Sequence, residues 1–111
     1  MQRIRSNTFQ CDVGETVTMT FVPSNPGIVS VGSREKTGDE FISVGDDLTL
    51  SRTIGSEQVT ITIEYVFFPG DTGNCRIFLK GSNGGEFENR PPAKDRAGLP
   101  ETRTYRFRPL E

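Results

Sequence analysis

The chain has 111 residues, 15 acidic and 13 basic side chains and a formal net charge of -2, a length that fits one domain with one core. It contains no histidine and no tryptophan. The missing histidine removes Ser-His-Asp and Cys-His nucleophilic machinery and the usual zinc, copper and non-haem iron ligand sets; the acidic balance argues against nucleic acid, and no apolar run is long enough to span a bilayer.

Met1 precedes a polar start with no apolar h-region, so no signal peptide is read here. Residues 3–11 read as a strand, with Phe9, Cys11 and Val13 in phase. Asp12-Val13-Gly14 turns the chain into Glu15–Phe21, where Val17, Met19 and Phe21 share one face and threonines the other. Pro23 to Gly27 is a compact loop. Residues 28–31 are a short strand, Gly32 to Asp39 a charged loop, and 40–43 and 47–53 further strands, with short reversals at Val44 to Asp47 and Ile54 to Ser56. Val59 to Phe67 repeats the Thr/Ile alternation, but Val66 and Phe68 break its phase. Coverage by a neighbouring loop is the preferred reading; a bulge or an exposed contact surface are the others. Cys75, Ile77 and Leu79 form the inward face of the strand 75–80, with Arg76 and Lys80 outward. Residues 85–88 and 104–108 are the last strands, separated by the proline-bearing loop 89–101. The final Leu110-Glu111 is what a cloning site before a purification tag leaves.

No stretch carries a helical apolar stripe, and turn residues recur about every 8 to 12 positions, the spacing of an all-β sandwich or barrel. The prediction is therefore all-β: a two-sheet antiparallel β-sandwich, jelly-roll-like, of about nine strands, in a single domain over 1–111.

Each candidate site has a structural alternative. Cys11 and Cys75 are either free buried thiols or one disulfide, which would contribute roughly 4 kcal/mol in the chain-entropy model and would need an exported protein. Asp46, Asp47, Asp71 and Asn74 offer oxygen ligands for calcium if their loops converge, but tight turns require the same residue types. Phe41, Tyr65, Phe68, Phe87 and Tyr105 could form a sugar-binding face, though most sit in core phase. Arg3 and Arg5 near the start and Arg103, Arg106 and Arg108 near the end would cluster if the terminal strands pair. Charged edge-strand protection is the preferred reading of these arginines; the alternative is a patch for an acidic partner or anionic polysaccharide. A glycosidase-type pair of carboxylates needs a cleft that a small sandwich rarely builds, so no catalytic residue is assigned.

The stretch NTFQCDVGETVTMTFVP resembles the opening of small jelly-roll sandwich domains of secreted bacterial proteins, the pre-peptidase C-terminal type, in its aromatic strand, glycine turn and alternating Val/Thr strand. GDTGNCRIFLKGSNGG is similar to the penultimate hairpin of that family. The resemblance implies an exported accessory or targeting module, sometimes calcium-stabilised. The expectation is a non-catalytic accessory or binding module of an exported bacterial protein, extracellular or periplasmic. Its partners would be other domains of that protein or a cell-surface partner, without nucleic acid or membrane insertion. The alternatives are a calcium- or carbohydrate-binding module and a subunit that self-associates through Val66 and Phe68.

Overall fold

Threonine, valine and isoleucine alternate along most of the chain, and β-branched side chains fit a pleated, half-buried surface. The computed structural model describes residues 1–23, 29–37, 40–45, 49–67, 75–91 and 101–110. These residues form ten strands and no helix: β1 (Gln2–Arg5), β2 (Thr8–Asp12), β3 (Thr16–Pro23), β4 (Val29–Thr37), β5 (Glu40–Gly45), β6 (Thr49–Thr53), β7 (Val59–Phe67), β8 (Cys75–Gly81), β9 (Glu86–Asn89) and β10 (Glu101–Leu110). The count exceeds the expected nine because the first predicted strand, 3–11, is broken at Ser6-Asn7 into β1 and β2.

The strands make two sheets, a six-stranded one ordered β1-β2-β10-β7-β4-β5 and a four-stranded one ordered β6-β3-β8-β9. The two-sheet sandwich expected from the sequence is present. One pairing departs from the antiparallel pattern: β2 and β10 run parallel, with Phe9 beside Phe107. β10 therefore lies inside the larger sheet, between β2 and β7.

Gly32 to Asp39 reads locally as a charged loop, but β4 continues through Thr37. Its register with β7 is unbroken from Val29↔Phe67 to Thr37↔Val59. Partner hydrogen bonds along nine residues outweigh the weak local strand preference of Gly-Ser-Arg-Glu-Lys. β7 also keeps register with β10 through Tyr65↔Glu101, so no bulge re-phases Val66, which is half-buried.

The core follows from phase. Val17, Met19 and Phe21 of β3 and Ile77 and Leu79 of β8 meet Phe9 of β2, Ile61, Ile63 and Tyr65 of β7, and Tyr105 and Phe107 of β10, all buried. Burying each such side chain contributes about 1.5–3 kcal/mol. Phe9 stacks on Phe107 at 5.7 Å and meets Phe87 of β9 at 5.1 Å, while Phe21 meets Tyr65 at 5.1 Å. At the opposite side, Arg52 of β6 pairs with the buried carboxylate of Glu35 of β4. That ion pair ties the sheets together where the smaller sheet ends.

Candidate functional site

The first hairpin decides which cations reach one face. β1 and β2 are joined by the two residues Ser6-Asn7, and Ser6 adopts φ 34°, the left-handed region that such a tight turn uses. The β1–β2 register runs Arg3↔Phe9 and then Arg5↔Thr8, leaving Ile4 as the extra residue of a bulge. Without it, Arg3 and Arg5 would share a face. With it, Arg3 stands opposite inward-facing Phe9, and Arg5 stands opposite Thr8. The Asn7 carbonyl accepts the Arg106 N–H at 2.9 Å, and the Asn7 side-chain oxygen accepts from Asn89 Nδ2 at 3.2 Å. The turn is thereby fixed to β10.

On β10, Tyr105 and Phe107 point inward, so Arg106 and Arg108 point out. Arg106 pairs with Thr8 in register, and Arg108 with Gln10. Arg5, Arg106 and Arg108 thus line a depression of about 430 Å³ together with Ser6, Asn7, Thr8, Gln58 and Thr104. No carboxylate among the described residues lines it. Among the described residues, none of these three arginines forms a salt bridge. Arg108 Nε donates to Gln58 Oε1 at 3.3 Å. The site offers guanidinium, hydroxyl and amide donors facing solvent, and guanidinium groups recognise carboxylate, sulfate or phosphate bidentately.

No family model, curated protein or solved structure matches this chain.

The structure brings together three of the five arginines singled out in the sequence. Arg3 lies at the core's open side, 5.6 Å from the Phe9 ring centre and 5.2 Å from that of Phe87. Arg103 has the inward phase of Tyr105 and lies half-buried. Edge protection does not account for Arg103, Arg106 and Arg108, because β10 is an interior strand. The predicted first strand, 3–11, does pair with β10, but through β2; β1, which carries Arg3 and Arg5, lies one strand further out.

The disulfide expected as one option is not formed: Cys11 and Cys75 are buried thiols with no bridge between them. Both face the core, as the phase required, but at opposite ends of it. Cys75 is level with Pro23 at the end of β3, whereas Cys11 sits beside the turn that leads to Val17, which is level with Gly81. Six strand residues separate those ends, about 20 Å, and a bridge needs Cα atoms within about 7 Å. Burial, then the Glu15 carboxylate, push the Cys11 thiol up to about 11. Asp46, Asp47, Asp71 and Asn74 lie outside the described residues, and among the described residues no group of acidic or cysteine side chains could hold a metal.

Of the aromatic candidates for a sugar face, Tyr65 and Tyr105 are buried. Burial raises both phenols, Tyr105 to about 12. Phe87 packs on Phe9. Phe68 lies outside the described residues. The outer face of the smaller sheet carries an aromatic that sequence reasoning did not single out, Phe78, in a groove of about 450 Å³ with Thr18, Thr20, Lys80, Glu86 and Glu88. Its charges are paired: Lys80 with Glu86 at 3.6 Å, and Glu88 with Arg76 at 3.6 Å and with Arg90 at 2.9 Å. Arg90 holds the Glu88 carboxyl below the usual range.

One buried charge pair also escaped the sequence. Glu15 accepts from the Met1 ammonium at 2.8 Å and from the N–H groups of Asp12 and Asn83 at 3.0 and 3.1 Å. Burial alone would raise this carboxyl; the ammonium and the two N–H donors outweigh it and hold it below its ordinary value. Gly81 leaves the space: a Cβ there would fall inside van der Waals contact of Glu15 and Met1. With every oxygen committed inside the fold, this carboxylate is structural.

Proposed function

We propose that the chain is a non-catalytic binding module that takes an anionic ligand on the outer face of its six-stranded sheet. The observation that carries this reading is the cluster of Arg5, Arg106 and Arg108 around a depression lined by no carboxylate among the described residues, in a chain whose net charge is -2. Arg106 and Arg108 lie on an interior strand and have no edge to guard, and Arg52, Arg76, Lys80 and Arg90 are each matched by an acid. The non-catalytic part is supported by the missing histidine and by the buried carboxylates Glu15 and Glu35, each engaged with a cation of the fold. The bridge that argued for an extracellular or periplasmic location is not formed, so the reading rests on the face and not on the compartment.

Calorimetric titration with dextran sulfate at low ionic strength tests it. Replacing Arg5, Arg106 and Arg108 together by alanine should abolish binding. The matching replacement of Arg76, Lys80 and Arg90 on the other sheet changes net charge equally and should leave binding intact. Equal loss in both triple variants, or no binding by the unmodified chain, would refute the site.

A further inference from the structure

The register of the larger sheet extends the cationic cluster into a row. Arg5 pairs with Thr8, Thr8 with Arg106, Arg106 with Thr60, and Thr60 with Lys36. One line across β1, β2, β10, β7 and β4 therefore reads Arg-Thr-Arg-Thr-Lys. Neighbouring strands are about 4.8 Å apart, so the cations recur about every 9.6 Å over about 19 Å, with a threonine between each pair. Arg5, Arg106 and Lys36 are exposed. Lys36, like the two arginines, forms no salt bridge among the described residues.

We infer that this row binds a linear acidic polysaccharide, laid across the strands, that carries one carboxylate or sulfate per disaccharide. The inference rests on the anionic-ligand reading above and adds the repeat, the direction and Lys36. Cations on alternate strands suit a ligand whose charges alternate with uncharged units, and the short threonine side chains between them, Thr8 buried and Thr60 half-buried, leave room for the neutral sugar. An extended acidic peptide places same-side charges about 6.8 Å apart, out of step with the row. Nucleic-acid phosphates are more closely spaced, about 3.4 Å of helix axis per strand in the duplex. Single strands bind on stacked aromatic platforms, and no ring lies between Arg5 and Lys36 in the row. The sheet also twists by about 20–25° per strand, so a rigid duplex cannot follow the row and a single flexible chain can.

The test is a length series of hyaluronan oligosaccharides, with one carboxylate per disaccharide, titrated into the chain and into its K36A and R5A variants. Thermal melts of the variants check that each folds. Affinity should rise about three- to five-fold per added disaccharide, as exposed ion pairs allow, and level off at three. K36A should remove the step from two disaccharides to three and leave the shorter ligands bound as before, whereas R5A, at a residue that also lines the depression, should weaken every length. A flat length dependence with K36A silent would overturn the row while leaving a single-anion site at Arg5, Arg106 and Arg108. Binding of dextran sulfate but not hyaluronan would do the same. Tighter binding of an oligoglutamate or oligothymidine of equal charge would overturn the polysaccharide assignment. Failure of every polyanion would remove both readings.

Discussion

Arg3 and Arg5 stand two residues apart on one strand and face opposite sides of the sandwich, because Ile4 is the extra residue of the β1–β2 ladder. One covers the Phe9 and Phe87 rings; the other lines the anion-binding depression. The bulge thus divides a pair that looks equivalent in sequence into a structural cation and a ligand-facing one.

Alanine at the two positions should separate stability from binding. R3A removes a cation–π contact and should cost about 0.5–1 kcal/mol in urea unfolding, with dextran sulfate affinity unchanged. R5A should weaken that affinity and leave stability within about 0.5 kcal/mol. The opposite pattern would mean that the register shift at Ile4 is misplaced.

The Glu15 clamp should be expensive to break. In the chain beginning at Met1, E15Q leaves a buried ammonium without its counter-charge, and loss of one partner of a buried pair costs about 3–5 kcal/mol. Because the folded carboxyl lies below its ordinary value, its contribution is complete above the unfolded carboxylate pKa, about 4.3, and is lost as pH falls through the lower folded value. Urea midpoints measured from pH 6 down to 3 should fall for the parent chain, with a smaller fall for E15Q. Parallel pH curves would contradict the pairing.

The turn that receives Met1 gives a second check. Gly85 has φ 92°, and a Cβ there would strike the Met1 carbonyl. G85A should therefore lower the melting temperature by several degrees, since about 1 kcal/mol corresponds to about 4 °C or more in a domain near this size. By contrast, G55A meets open space at an ordinary backbone conformation and should be close to neutral.

The thiols should behave as buried, unbridged core groups. Folded protein should resist alkylation, since both cysteines are buried and the Cys11 thiolate forms only near pH 11. After unfolding without reductant, both should label. Labelling only after reduction would establish a bridge that this fold does not contain.

Much of the fold was legible in the residues. The alternation of Val17, Met19 and Phe21, of Ile61 and Ile63, and of Ile77 and Leu79 named the core-facing side chains correctly, because period 2 is a local property of a strand. What the sequence could not supply was neighbourhood. Cys11 and Cys75 had the right phase and the wrong ends. Arg106 and Arg108 looked like edge charges because they lie near the chain terminus, yet β10 inserts between β2 and β7. Lys36 was assigned to a loop and joins the cationic row only because β7 holds β4 in register through Thr37. Each of these depends on pairing between residues far apart in the chain, where no local signal exists.

The most direct test of the anion-binding face is an amide chemical-shift titration of the labelled protein with a hyaluronan hexasaccharide. Saturable shifts should be confined to the outer face of the larger sheet, centred on Arg5, Thr8, Thr60 and Arg106 and reaching Lys36. Shifts centred instead on Thr18, Phe78 and Lys80 of the other sheet, or no shifts at millimolar ligand, would contradict it.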